Sequence, residues 1–251
     1  MEKRVIIIGA GIAGLCAGAY ARMNGYAATI FELHDKPGGL CTSWQRKGYT
    51  VDGCVHWLVG SSPGNGPANG LHQIWTELGA LDRKFVDHEE FARVVDPSGK
   101  TLILYTDIDR LERHLLELAP ADAAVIREFT DAVRTFTLMP MPIGKPRELR
   151  TMLDSIGGLL KMAPYLPGFL KWSRLPIRKF AERFTDPFLR RAFPVFFDLP
   201  DFPMIGMIFT LAWMHTRTSG YPIGGSLEFA RGIEKRFLDL GGEIRYRARV
   251  Q

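Results

Sequence analysis

Cysteine is scarce in this sequence, and the cysteines that occur show no paired spacing. The 251 residues include three, at Cys16, Cys41 and Cys54. An odd number without CxxC spacing argues against a disulfide framework and favours a reducing compartment. The histidines also lack the spacing of metal ligands, so the sequence predicts neither a zinc nor an iron–sulfur site.

Long apolar segments are missing as well. The charged N-terminus leads directly into residues 5–8, a run too short for the apolar region of a secretory signal peptide. The longest later run, residues 202–214, is interrupted by Pro203 and Gly206, and a membrane-spanning helix needs roughly 20 residues. We therefore expect a cytoplasmic protein that is soluble or peripheral at a membrane.

Positive charge is concentrated in one part of the chain. The formal net charge is +5, and between Pro140 and Pro200 eleven Lys and Arg face five Asp and Glu. In residues 138–215 these bases alternate with Phe, Leu, Met and Trp, as they do in interfacial helices. We interpret the segment as short helices broken by proline that either contact a membrane surface or form a substrate cap with a solvated basic face. Nothing resembles a nucleic-acid recognition module, so nucleic acid is not an expected partner.

The first thirty or so residues have the pattern of a strand, a helix and a second strand. Residues 5–8 are a continuous β-branched run, typical of a parallel strand buried on both faces. An Ala-rich helical stretch to about Asn24 follows, Gly25 ends it, and residues 28–31 resume a buried strand that finishes at Glu32. This order predicts a βαβ unit.

A glycine motif joins the first strand to the helix. The predicted phosphate-binding turn consists of Gly9, Ala10, Gly11, Ile12, Ala13 and Gly14. The first glycine permits a sharp turn, the second leaves room for a pyrophosphate, and the third lets helix and strand pack closely. The helix N-terminus offers N–H groups to the phosphates. Glu32 can accept hydrogen bonds from ribose hydroxyls and would repel a 2′-phosphate, which disfavours NADP.

The residues that follow Glu32 distinguish a flavin nucleotide from NAD. A second glycine pair, Gly38-Gly39, precedes the stretches LCTSW and GYTVDGCVH, and YPIGG at 221–225 precedes a predicted helix. With these motifs the chain resembles the phytoene desaturase and carotenoid isomerase family, within the amine-oxidase-like flavoproteins. The resemblance extends over all 251 residues but over only about half of a family member.

The resemblance implies an α/β fold: a glutathione-reductase-type FAD/NAD(P)-binding Rossmann-like domain with an inserted α+β substrate domain, incomplete at the C-terminus. It implies an FAD-binding domain at 1–75, a partial substrate and membrane-facing domain at 76–216, and a return to the FAD-binding domain at 217–251.

The resemblance also implies site residues and a cofactor, FAD. Gly38 and Gly39, with Leu40 directly after them, would run along the FAD pyrophosphate, and the backbone of Val250 would contact adenine. The sequence identifies no catalytic residue. His56 suits a place near the flavin as well as a place in the core, and Asp52 is expected to hold a loop rather than to act as a base.

The implied function is an FAD-dependent oxidoreductase that desaturates, saturates or isomerises a carotenoid, isoprenoid or similar apolar polyene. One alternative is a flavin amine oxidase-like enzyme, although Leu40 stands where related amine oxidases often carry arginine. The other alternative is a non-catalytic truncated remnant.

Periodicity and turn residues predict the remaining elements. They are loops at 36–70, a hairpin at 92–95 and 101–105, a helix capped by Asp107 or Asp109 that ends near Ala119, a helix from Pro120 to about Phe136, a helix at 226–240 and a strand at 243–250.

Overall fold

A computed structural model describes residues 3–63, 69–140, 143 and 147–251. Part of the predicted loop at 36–70 and part of the basic segment 138–215 lie outside these residues.

The chain divides into two compact units. Unit 1 comprises Met1–Ser61, Leu71–Val86 and Gly220–Gln251, and unit 2 comprises Ser62–Gly70 and Asp87–Ser219. The functional domains expected at 1–75, 76–216 and 217–251 stay a prediction.

The bounds of the strands and helices are as follows. The strands are β1 Arg4–Ile8, β2 Ala27–Phe31, β3 Ser43–Arg46, β4 Tyr49–Asp52, β5 Leu58–Val59, β6 Phe85–Val86, β7 Glu90–Val95, β8 Thr101–Tyr105, β9 Ser219–Pro222 and β10 Glu243–Arg245. The helices are α1 Ile12–Met23, α2 Asn69–Glu77, α3 Ile108–Leu118, α4 Ala123–Phe136, α5 Met152–Met162, α6 Leu166–Ser173, α7 Ile177–Ala181, α8 Pro187–Ala192, α9 Met204–His215 and α10 Gly225–Asp239.

Unit 1 contains the predicted βαβ unit. Strands β1, β2 and β10 form a parallel sheet in the order β1-β2-β10, with Ile7 and Ile244 both in register with Ile30. Helices α1 and α10 contact each other, and the core around them includes the fully buried Ile30 and Phe237. Gly18 permits this approach, because a Cβ there would lie 2.9 Å from the Phe237 ring.

The expectation that residues 5–8 are buried on both faces is wrong for this chain. Ile6 and Ile8 are each 71% exposed, whereas Ile7 packs against the core of unit 1. Alternate side chains of a strand point to opposite faces. In the part of the chain that the structure describes, the face that carries Ile6 and Ile8 is left open.

The last predicted strand is shorter than expected. It ends at Arg245, and Arg247, two residues later, has a left-handed conformation with φ of 54°. The expected loop at 36–70 instead contains the antiparallel hairpin β3–β4, whose turn residues Lys47 and Gly48 both have positive φ. Asn69 begins α2 in the same region.

Unit 2 contains the predicted hairpin, β7–β8, which is antiparallel and closes through a turn at Asp96. Of the two candidate caps for α3, Asp107 is the one used: its Oδ1 accepts a hydrogen bond from the Arg110 backbone N–H at 2.8 Å. The helix predicted from Pro120 is a short 3₁₀ turn followed by α4.

An aromatic cluster forms the centre of unit 2. The rings of Phe129, Phe180, Phe184 and Phe193 are fully buried and contact one another at centroid distances of 5.0–5.7 Å. Of the predicted short, proline-interrupted helices, α6, α7 and α8 contribute buried side chains to this core. No helix in the described residues is long and apolar enough to cross a membrane.

Candidate cofactor-binding site

The glycine turn after β1 has the geometry that the motif predicts. Gly9 has φ of +95°, which favours glycine, and its N–H donates to the Phe31 carbonyl at 2.8 Å. A Cβ on Gly14 would lie 2.0 Å from the Gly9 carbonyl oxygen, so only glycine allows this helix start to lie against the turn.

Gly11 differs from Gly14 because nothing lies within 4 Å of the position that its Cβ would take. It is the N-cap of α1, has ordinary extended backbone angles and provides no side-chain cap. The amides of the first helical turn, at Ile12, Ala13 and Gly14, have no carbonyl four residues earlier within the helix. The helix therefore presents N–H groups beside open space, which suits a phosphate.

Glu32 lies at the end of β2 and is fixed against the glycine turn. Its Oε2 accepts from the Ala10 N–H at 2.6 Å, and its Oε1 accepts from the His34 N–H at 2.7 Å. A carboxylate oxygen has two lone pairs, so each keeps capacity for a further donor such as a ribose hydroxyl.

The second glycine pair is in direct contact with the first motif. The Gly38 N–H donates to the Ala10 carbonyl at 2.8 Å, and Gly11 and Gly38 form a parallel bridge. Gly38 and Gly39 both have positive φ, and a Cβ on Gly39 would be 3.4 Å from the Gly11 Cα. Two segments nearly thirty residues apart therefore form a single surface built from backbone.

The two other predicted site residues lie at the surface. Leu40 is 93% exposed and Val250 is 47% exposed. The backbone brings the C-terminal segment beside Glu32: the Ala248 N–H donates to the Glu32 carbonyl at 2.9 Å, and the Arg247 N–H donates to the His34 carbonyl at 3.0 Å. The adenine contact expected of Val250 stays a prediction.

A cleft of about 450 Å³ adjoins Glu32 and includes residues that the sequence did not single out. Beside Glu32 and Gly39 its lining includes His34, Lys36 and the half-exposed Trp44. Their closeness in sequence to Glu32 and Gly38 is the signal from which the sequence could have predicted their place at the site. The hairpin β3–β4, which was not predicted, is what positions Trp44.

Asp52 holds a loop, as expected. Its carboxylate accepts from the Ser226 N–H at 2.5 Å, from the Ser226 hydroxyl at 2.6 Å and from the Cys54 N–H at 3.1 Å. Burial alone would raise the pKa of Asp52, but the hydrogen bonds from Ser226 outweigh it and lower the pKa. A Cβ on Gly225 would lie 2.3 Å from the Asp52 carboxylate, so the second glycine of YPIGG permits this contact.

No described residue stands out as a catalytic acid, base or nucleophile. Burial raises the pKa of the Cys41 thiol to about 12, which keeps it protonated at neutral pH. His56 lies beside Trp57, with ring centroids 6.1 Å apart. Within the described residues no group of His, Cys, Asp or Glu is arranged to hold a metal ion.

Comparison with known proteins agrees with this geometry. Residues 7–76 match the model of the NAD(P)-binding Rossmann-like domain family. Two lycopene-forming phytoene desaturases match 99% of the chain: that of a Paracoccus strain at 28% identity and that of Pseudescherichia vulneris at 29%. The chain is thus similar in sequence to phytoene desaturases over nearly its whole length. Human all-trans-retinol 13,14-reductase is a further relative, 25% identical over 98% of the chain and 41% of its own length.

The chain spans about half the length of the curated relatives that it matches, 48% and 50% for the two desaturases. Among solved structures, a protein from Pyrococcus furiosus matches 97% of the chain and 51% of its own with a TM-score of 0.59 at 18% identity. Putrescine oxidase matches 98% of the chain and 51% of its own with a TM-score of 0.51 at 15% identity. These likenesses confirm the predicted α/β, Rossmann-like fold.

Proposed function

We propose that the phytoene desaturase-like chain is part of an FAD-dependent oxidoreductase that desaturates, saturates or isomerises a carotenoid, isoprenoid or similar apolar polyene. The junction of the two glycine segments carries the proposal. Gly38 bonds to Ala10 and bridges Gly11, so two backbone segments line one open surface next to Glu32. The names of the relatives, desaturases of phytoene and a reductase of retinol, support the substrate class.

The proposed cofactor is FAD because the second glycine segment extends the binding surface beyond the turn that an NAD site requires. The open space above Gly11 and the α1 amides suit the pyrophosphate, and Glu32 suits the ribose hydroxyls. FAD, when bound, supplies the group that accepts or donates hydride.

The chain's own residues then act by binding and orientation. The Asp52 carboxylate already accepts hydrogen bonds from Ser226 and Cys54. Its proposed role is therefore to hold the start of α10 rather than to move a substrate proton. The remaining tasks are to align the polyene with the cofactor and to exclude water, which need no strong acid or base.

Residues 138–215 support a second part of the proposal, a cytoplasmic protein that is peripheral at a membrane. The segment combines the basic excess with side chains of exposed apolar residues such as Leu153 and Leu160. A polyene dissolves in lipid, so contact with a bilayer would give the protein access to its substrate.

Binding of FAD, NAD⁺ and NADP⁺ to the purified protein tests the cofactor. We expect measurable affinity for FAD, and Glu32→Gln should weaken it about tenfold, since a hydrogen bond to a charged group contributes roughly 1.5–3 kcal/mol. Glu117→Gln, an exposed change on α3, is the matched control. Preference for NADP⁺ would contradict the assignment.

Turnover separates the proposed substrate from the alternatives. Conversion of a polyene such as phytoene by the FAD-loaded protein supports the proposal, whereas peroxide release from an amine would favour the amine oxidase-like alternative. The other alternative is a non-catalytic chain. Binding of FAD without conversion of polyene or amine would support it.

A further inference from the structure

Helix α5 is unusual in unit 2 because it has no buried residue. Its start is well defined: the Asp154 N–H donates to the Thr151 hydroxyl at 3.1 Å, and the Thr151 N–H donates to the Asp154 carboxylate at 3.0 Å. This capping box fixes the first turn of the helix. The helix therefore forms from local interactions and not from burial of its side chains.

The apolar residues of α5 lie on one face. Met152 and Leu153 are each 80% exposed, and Ile156, Leu159 and Leu160 are 48%, 65% and 68% exposed. Positions i, i+1, i+4, i+7 and i+8 share one side of an α-helix. A contiguous apolar stripe of this kind marks an interaction surface rather than scattered surface residues.

The last residue of α5 and the segment after it are anchored in unit 2. Met162, Tyr165 and Phe169 pack against the hydrophobic core of that unit, and the Tyr165 hydroxyl donates to the Leu138 carbonyl at 3.1 Å. The C-terminal end of α5 is therefore held while its apolar face stays exposed.

The opposite face of α5 is small and polar. Asp154, Gly158 and Lys161 lie there, rotated by roughly 140–160° from Ile156 at about 100° per residue, and Ser155 and Gly157 lie at the two borders, about 100° away. Asp154 is occupied by the capping box, whereas Lys161 makes no ion pair with the described residues. An apolar face opposite a polar face that carries an unpaired lysine is compatible with a helix that lies in the plane of a membrane interface.

Charge around α5 favours an anionic surface. Arg174, which is exposed at the end of α6, also makes no ion pair with described residues, and the surrounding sequence from Pro140 to Pro200 has six more bases than acids. A protein partner would have to supply both an apolar groove and acidic groups. A bilayer with anionic headgroups provides both an apolar interior and negative charge.

We propose that α5 docks on an anionic lipid bilayer, with Met152, Leu153, Ile156, Leu159 and Leu160 inserted below the headgroups and Lys161 facing the aqueous side. At 1.5 Å per residue the helix is about 16 Å long, so it lies along the surface and does not cross the membrane. The inference specifies the element, orientation and lipid class of the membrane contact in the proposed function, and it rests on that contact for its biological meaning.

Vesicle co-sedimentation of the purified protein tests the docking. We expect binding to phosphatidylcholine vesicles that contain about a third phosphatidylglycerol, and much weaker binding to pure phosphatidylcholine. The double change Leu153→Glu and Leu160→Glu should lower affinity about tenfold or more. Leu238→Glu, on an exposed position of α10, should leave it unchanged. The double variant should unfold at the same temperature as the wild type, because α5 has no buried residue. This result would show that the fold of the variant is intact.

A second measurement reports insertion directly. Leu160→Trp should be quenched by brominated lipid, and Leu238→Trp should not. Wild-type binding by the double variant would overturn the proposal, as would loss of self-association in that variant without loss of vesicle binding, which would assign the face to a second copy. The assay uses neither cofactor nor polyene, so failed turnover with intact vesicle binding would count against the proposed function alone.

Discussion

At the scale of single residues, Gly11 and Gly14 lie on the same turn but meet different surroundings. A Cβ on Gly14 would lie 2.0 Å from a backbone oxygen, and one on Gly11 would meet nothing within 4 Å. Gly14 is required by packing inside the protein, whereas Gly11 leaves the space beside the turn open.

Alanine substitutions should therefore separate stability from binding. Gly14→Ala should lower the free energy of unfolding by about 1–3 kcal/mol, because the helix must shift to admit the methyl group. Gly11→Ala should change stability by less than about 0.5 kcal/mol yet weaken nucleotide binding, since the methyl group would occupy the phosphate space. Urea unfolding without nucleotide and titration with FAD measure the two effects. Equal losses of stability would contradict this assignment.

Asp52 provides a prediction that depends on pH. Its pKa in the folded protein is lowered, because the hydrogen bonds from Ser226 outweigh the effect of burial. A lowered pKa means that the carboxylate stabilises the fold above its unfolded pKa of about 3.9, and that this stability is lost as pH falls through the folded value.

We expect Asp52→Asn to cost roughly 1–3 kcal/mol of unfolding free energy at pH 7. The difference from wild type should shrink toward acidic pH, where the native carboxyl is also neutral. Asp239→Asn, an exposed change near the end of α10, is the control and should show little effect. A difference that stays constant down to acidic pH would rule out the carboxylate charge as its source.

Sequence patterns could locate the glycine motifs, because each is local. They could not show that Asp52 meets Ser226, since these partners are 174 residues apart. For the same reason the contact of Gly38 with Ala10 could not be predicted from the sequence, although both segments had been assigned to cofactor binding.

At the scale of elements, Asp122 joins two parts of unit 2. The side chain is only 3% exposed and accepts from the Thr185 N–H at 2.7 Å, the Thr185 hydroxyl at 2.6 Å and the Asp186 N–H at 2.9 Å. Asp186 in turn caps α8 by accepting from Phe188 and Leu189. The turn before α4 therefore fixes the start of a helix more than sixty residues later.

Asp122→Ala should lower the free energy of unfolding by roughly 1–3 kcal/mol, because it leaves three partly buried donors without their acceptor. Asp107→Ala removes the exposed cap of α3 and should cost about 1 kcal/mol. Equilibrium denaturation of both variants gives the comparison. A smaller loss for Asp122→Ala than for Asp107→Ala would show that the burial of the first group contributes nothing.

Helices with strong periodicity, such as α3, α4 and α10, were predictable to within a few residues. The hairpin β3–β4 was missed because its strands are short and its exposed side chains give no apolar alternation. Its turn, Lys47-Gly48, was the one usable signal, since glycine is favoured where φ is positive. The β1 prediction failed differently: β-branched composition indicates a strand but does not say which faces are covered.

At the scale of the whole molecule, the open face of the β1-β2-β10 sheet affects behaviour in solution. Ile6 and Ile8 are exposed on it, and in the described residues β1 pairs with β2 alone. An apolar strand at a sheet edge is a template for association.

The chain should therefore self-associate as its concentration rises, and Ile6→Thr with Ile8→Thr should reduce light scattering without lowering the unfolding temperature by more than a few degrees. Ile30→Thr, at a fully buried position of the neighbouring strand, should destabilise unit 1 instead. Persistent scattering by the double variant would place the association elsewhere.

Unit 1 is discontinuous in sequence, and this has a consequence for the order of folding. The Arg22 side chain donates to the Leu240 carbonyl across 218 positions, whereas most of unit 2 is one continuous stretch. Closing a longer loop costs more chain entropy. We therefore expect residues 87–219 to become compact first, because this shortens the loop that must close when α10 packs against α1. In pulsed hydrogen exchange during refolding, amides of α4 and α9 should gain protection before those of α1. The nucleotide-binding motif, although synthesised first, would then be the part of the protein completed last.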